Sequence, residues 1–236
     1  MDTPLLEVIA LGPADARAAE EGGADRLEIV TDMAADGLSP EPGVVAAIRR
    51  ATTRPIRVML RLQAGFVTST GELQKLARLA DHYADAGADG FVFGFLTPDA
   101  EIDIDAAVFL AECDGVTGRP WTFHRAIDNA LEPRHAWRDV EDLPGLDTVL
   151  TAGSARGLEH GLDDLLSVAQ DGTRAGLIMA GGGLAAEQVP WLVRAGVRRF
   201  HIGSGARPQG SWKAYVDPRF VRSWRTLIDD AVARVR

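Results

Sequence analysis

Gly23-Ala24-Asp25-Arg26-Leu27-Glu28-Ile29 is the stretch that decides the fold, because its pattern returns three times. It comes back as Gly87-Ala88-Asp89-Gly90-Phe91-Val92-Phe93, as Gly145-Leu146-Asp147-Thr148-Val149-Leu150, and as Gly196-Val197-Arg198-Arg199-Phe200-His201-Ile202. Each copy follows a segment of helical periodicity and opens a short run of β-forming residues. The glycine reads as a left-handed helix cap that turns the chain into a buried strand. Successive glycines lie 64, 58 and 51 residues apart.

Four more short strands are expected between the copies, over residues 5–10, 56–62, 121–125 and 177–180. Helix starts are expected at Pro13-Ala14-Asp15, Ser39-Pro40-Glu41, Thr97-Pro98-Asp99, Glu132-Pro133 and Asp217-Pro218-Arg219, where proline suits the first turn. Each repeat therefore holds two βα pairs of about 29 residues, and a chain of this length holds about eight of them, the number that closes a (β/α)8 barrel. An open, doubly wound sheet also alternates strand and helix. It fits the count less well, and no Gly-x-Gly-x-x-Gly follows the first strand. No linker or low-complexity tract interrupts the 236 residues, so a single barrel domain spanning 1–236 is expected.

Composition narrows the function. Lys and Arg number 25 against 34 Asp and Glu, a net charge of −9, which offers no electrostatic footprint for nucleic acid or an anionic membrane. The single Cys113 excludes a disulfide framework and a thiolate zinc site within one chain. The longest apolar run, residues 175–186, is short of a membrane span and holds four glycines. The start, Met1-Asp2-Thr3-Pro4, has no basic segment of the secretory kind. A soluble cytoplasmic protein is expected, with homo-oligomerisation left open.

In a barrel of this kind chemistry sits at the carboxyl ends of the strands. Glu7 and Glu28 lie within apolar strands and should face the interior. Arg61, His124 and His201 fall at strand ends, with Asp128 four residues beyond His124. His82, His135 and His160 fall in helical segments, where a solvated surface role is the default. One account of the interior set is a packed polar layer in which Arg61 neutralises Glu7 or Glu28. The other is catalysis, with His124 and Glu7 or Glu28 as acid and base, and Asp128 either orienting the His124 ring or capping the next helix. The glycine-rich turns after the seventh and eighth strands suggest an anion site lined by Gly182, Gly183, Gly203, Ser204 and Arg207, since converging backbone N–H groups bind anions.

These segments resemble the CutC family. The resemblance is carried by Leu6-Glu7-Val8, by residues 23–28, by Gly37-Leu38-Ser39-Pro40 and by residues 88–94. It continues through Thr122-Phe123-His124-Arg125-Ala126-Ile127-Asp128, its most specific part, then residues 149–153, Ala180-Gly181-Gly182-Gly183, and Phe200-His201 with Ser204. It implies a cytoplasmic (β/α)8 barrel with a role in copper homeostasis. Many members carry a cysteine just after the first-strand acid and another after the second-strand acid, and copper binding has been linked to such thiols. Here the matching positions are Ile9 or Ala10, and Ile29 or Val30. The third-strand end, usually Arg-Pro-Arg followed by Gly-Gly-Asp-Phe, reads Arg61-Leu62-Gln63-Ala64-Gly65-Phe66. Copper is thus implied by the family and not by these residues, since Cu(I) prefers thiolate and thioether ligands. His124, His201 and a carboxylate could hold a harder divalent ion, against the opposing charge of Arg61. The residues point instead to a barrel enzyme acting on a small anionic or phosphorylated metabolite by lyase, isomerase or hydrolase chemistry. A third expectation is a non-catalytic barrel.

Overall fold

The structure, a computed structural model, describes residues 3–171 and 173–235. Met1 and Asp2, which open the segment read for a leader, lie outside the described residues. Eight parallel strands close in sequence order: β1 (Leu5–Ala10), β2 (Arg26–Ile29), β3 (Ile56–Met59), β4 (Gly90–Phe93), β5 (Trp121–Phe123), β6 (Leu146–Thr151), β7 (Ile178–Ala180) and β8 (Arg199–Ile202), with β8 pairing back onto β1. The helices that follow them are α1 (Pro13–Gly22), α2 (Pro42–Arg49), α3 (Thr70–Asp85), α4 (Ile104–Ala111), α5 (Pro133–Glu141), α6 (Leu158–Ala169), α7 (Val189–Arg194) and α8 (Pro218–Arg234). This is the (β/α)8 barrel expected from the repeat. All four repeat glycines are left-handed, with φ of 96°, 94°, 74° and 95° at Gly23, Gly87, Gly145 and Gly196. A side chain with a β-carbon would be strained there, which is why the repeat is written in glycine.

Strand alternation sorts the barrel into two apolar regions. Leu6, Val8, Leu27, Ile29, Val58, Phe91 and Phe93 join the large cluster between strands and helices. Ile9, Val30, Met59 and Val92 alternate with them and form a second, smaller cluster inside the barrel. Trp121 is fully buried, stacks on Phe93 at 4.0 Å, and donates its indole N–H to Pro144 O. Each such large side chain contributes about 1.5–3 kcal/mol through burial. The amino end of the interior is closed by charge: Arg57 donates to both carboxylate oxygens of Asp147 at 2.6 Å and to Thr122 Oγ1.

The strands expected over 121–125 and 177–180 shorten to Trp121–Phe123 and Ile178–Ala180, and three further expected boundaries move. The β3 strand stops at Met59, not residue 62, because Ser39 Oγ accepts the Arg61 N–H at 2.9 Å and donates to Met59 O, drawing the chain out of the sheet. With Ser39 so engaged, α2 starts at Pro42 and not at Ser39-Pro40. Thr97-Pro98-Asp99 forms a turn, and α4 begins seven residues after Thr97, at Ile104, under the side-chain cap of Asp103.

Candidate functional site

A cavity of about 460 Å3 opens at the carboxyl ends of the strands, within the usual range for small-ligand sites. Its wall includes Glu28 from β2, Arg61 beyond β3, His124 beyond β5, Gly182 and Gly183 beyond β7, and His201, Gly203 and Ser204 from β8 and its loop.

At its base is an ordered row of charges. Register places Glu7 beside Arg26 on one flank and beside His201 on the other. Arg26 Nε donates to Glu7 Oε2 at 2.5 Å, and His201 Nδ1 meets Glu7 Oε1 at 2.9 Å. His201 Nε2 then faces Glu28 Oε2 at 3.6 Å, long for a hydrogen bond but close for two charges. All four residues are buried. Glu7 is completely enclosed beneath His201 and is not part of the cavity wall. Burial by itself raises the Glu7 carboxyl, but the Arg26 charge, the His201 hydrogen bond and charge, and Arg57 outweigh it and hold the group at about 2. Glu28 has the opposite fate. Burial is its dominant influence, the Glu7 charge adds to it, and His201, Arg26 and Arg61 offset only part, so its carboxyl is pushed up to about 7. Burial also opposes a charge on His201, yet its contacts with Glu7 and Glu28 raise it above the ordinary imidazole value. Glu7 is therefore a fixed anion, and Glu28 and His201 hold a mobile proton near neutral pH.

Arg26, not Arg61, neutralises Glu7. Arg61 anchors itself to backbone, donating from Nε to Gln63 O at 3.2 Å and from Nη2 to Ala35 O. Its guanidinium lies 5.3 Å from the Phe66 ring centroid. Only 6% exposed, it forms no ion pair among the described residues.

Two sequence assignments are corrected. Asp128 does not orient His124. Its carboxylate accepts from Thr151 Oγ1 at 2.6 Å, from Ala152 N–H and from Arg125 Nε at 2.8 Å, tying the β5 and β6 loops together. His124 is held by its own backbone: Nδ1 accepts the Ala126 N–H at 3.2 Å. That acceptor role puts the proton of the neutral ring on Nε2, a buried atom with no partner. Burial and then the Arg61 charge push His124 down to about 3, so it is a neutral donor and not a base at physiological pH. Arg207 is the second correction. It leaves the anion site and turns under α1, donating to Asp15 Oδ2 at 2.7 Å, Ala214 O at 2.6 Å and Ile9 O at 3.2 Å. The backbone at Gly203 is covered by Trp212, which lies over the Arg207 guanidinium at 5.0 Å. Gly182, Gly183, Gly203 and Ser204 do line the cavity.

Two residues went unnoticed in the sequence. Arg26 could have been found, since it stands two residues before Glu28 and shares its face of the strand. Trp212 lies in the irregular segment between β8 and α8, and no sequence pattern marks it.

The fold and the mouth define a (β/α)8-barrel protein with a polar small-molecule cavity at the carboxyl ends of its strands. The chain belongs to the CutC family, whose model matches residues 5–206. A family protein CutC of Klebsiella pneumoniae (strain 342) is 34% identical over 203 residues, covering 85% of this chain and 80% of its own length. One from Xanthomonas campestris is 33% identical over 201 residues, covering 84% and 82%. Among solved structures, a candidate copper homeostasis protein CutC from Streptococcus agalactiae superimposes with a TM-score of 0.76 at 24% identity, covering 85% of this chain and 98% of that one.

The described residues contain one group of three acid or imidazole ligand atoms close enough to share a metal ion, Glu7, Glu28 and His201, within 4.8 Å of one another. It does not fit Cu(I). Its oxygen and nitrogen donors already face one another and Arg26, and none is a soft ligand. Cys113 lies just past α4, packed against the outer core, with its thiol raised by burial.

Proposed function

We propose that this chain is a barrel enzyme that binds a small anionic metabolite in the cavity and moves a proton on it. The observation that carries this reading is a set of buried groups with unused charge or hydrogen-bonding capacity on one cavity wall. Among the described residues Arg61 makes no ion pair, the carboxylates of Asp36 and Glu28 acting on it only through space, His124 Nε2–H has no acceptor and Glu28 Oε1 has no hydrogen bond. Leaving such groups unpaired costs a few kcal/mol each. An anion on Arg61 with an oxygen on His124 offsets that cost.

Glu28 would be the proton donor or acceptor, since its carboxyl near 7 lets both forms coexist at neutral pH. His201, held by Glu7, which Arg26 holds in turn, would exchange that proton with it. The neutral His124 would donate to oxygen where negative charge develops, and Arg61 would hold the anion. Lyase, isomerase and hydrolase chemistry can each begin with this proton transfer. A cytoplasmic setting follows from the family resemblance.

A copper role is the second reading. It draws on the Streptococcus agalactiae relative and on Met33 and Met59, which line the same cavity and carry soft thioether sulfur. Copper would then be cargo on methionine sulfur, and its binding would survive Cys113→Ser.

Thermal shift against a panel of small carboxylates and phosphates separates the readings, with proton exchange of any hit in D2O followed by NMR. Small carboxylates should raise the melting temperature of the wild type and not of Arg61→Met, and Glu28→Gln should bind the hit without exchanging its proton. If no anion stabilises the wild type, or Arg61→Met responds equally to the carboxylates, the enzyme reading fails.

A further inference from the structure

Arg61 is only one pole of the cavity. It follows β3, and the turn at Gly182 and Gly183 follows β7, four strands away in a ring of eight. Eight strands about 4.8 Å apart and tilted by about 36° make a ring on the order of 15 Å across, so the two poles face each other over the mouth. Between them stand Glu28 and His124 with their unpartnered atoms.

The second pole is made of backbone. Gly182 and Gly183 are consecutive left-handed residues, with φ of 78° and 88°. Among the described residues, the amides of residues 182–184 donate to no protein acceptor, and all three residues line the cavity. A β-carbon on Gly183 would meet nothing within 4 Å, so there is open space in front of the turn. Arg125 packs against Gly182, and Ser204 lines the same cavity from the β8 loop. Successive amides left open in a turn can converge on one anion, and three donors suit the several oxygens of a phosphate better than the two of a carboxylate. Arg61 offers the remaining Nη1 of an otherwise anchored guanidinium, enough for a carboxylate.

We infer that the cavity is built for a short metabolite with an anionic group at each end, a carboxylate held by Arg61 and a phosphate ester held by the amides of residues 182–184. The carbon atoms between the two groups lie across Glu28 and His124. This rests on the enzyme reading above and names the substrate class for it.

Calorimetric titration with glycolate, inorganic phosphate and 3-phosphoglycerate tests it. In the wild type the two-ended probe should bind at least 30-fold tighter than either single anion. Arg61→Met should weaken glycolate and 3-phosphoglycerate at least tenfold, leaving inorganic phosphate within threefold. Gly183→Asp should weaken phosphate and 3-phosphoglycerate at least tenfold relative to Gly183→Asn, which has the same shape and tolerates the left-handed backbone. The inference is overturned if 3-phosphoglycerate gains nothing over the better single anion, or if the Asp and Asn variants behave alike. The wild-type comparison decides by itself should both Gly183 variants misfold. Glycolate binding that depends on Arg61, without a two-ended gain, defeats this inference and leaves the enzyme reading standing. If no anion binds, both fall.

Discussion

Replacing Glu28 with Gln removes a charge and keeps the shape, and the structure sets the size and sign of the result. In the folded protein the Glu28 carboxyl sits at about 7, against an ordinary 4.5, because burial disfavours its ionised form. A raised carboxyl binds its proton more tightly when folded. Its contribution is therefore full below about pH 4.5, declines between 4.5 and 7, and is gone above 7. The interval is worth about 3 kcal/mol, or roughly 6–12 °C in melting temperature for a chain of this size. His201, also raised, moves stability in the same direction, and losing the Glu28 carboxylate removes one cause of its rise. Urea denaturation from pH 4.5 to 8.5 should show Glu28→Gln gaining on the wild type by about 3 kcal/mol, most of it before pH 7.5. A difference flat to within about 1 kcal/mol would mean that Glu28 ionises as it does in water. The proton-transfer role argued for it would then have no basis.

Arg207→Met should cost about 3–5 kcal/mol in urea denaturation, because it strands Asp15 as a buried, unpaired carboxylate. Anion-dependent stabilisation should persist in that variant, and its selective loss would restore Arg207 to the ligand site. In 15N NMR the His124 ring should carry its proton on Nε2 and stay neutral down to about pH 4, as the Nδ1 acceptor bond and a value of about 3 require. A titration near pH 6.5 would contradict both the tautomer and the donor role.

The sequence by itself determined the architecture. Glycines at four repeated helix ends and strands of alternating polarity are local requirements, and a local requirement is written in the residues that meet it. The same alternation put Glu7, Glu28 and His201 on the inward face of their strands, so the presence of these charges in the interior was legible. The pairing of those groups was not. Arg26 and Arg61 are both arginines on the interior face, but the register between β1 and β2 gives Arg26 to Glu7, while Ser39 and the backbone oxygens of Ala35 and Gln63 hold Arg61 away. Asp128 stands four residues from His124, yet it is spent on Thr151 and Ala152, more than twenty residues away in the chain. Arg207 follows the glycine loop and leaves it for Asp15, 192 residues distant. Partners of buried charges are chosen by packing across the chain, since each charge must find whichever opposite group the fold brings within reach once water is gone. That choice also set the proton affinities: both acids are buried, but the Arg26 charge and the His201 contact keep Glu7 ionised while burial raises Glu28, and only the tertiary structure separates the two.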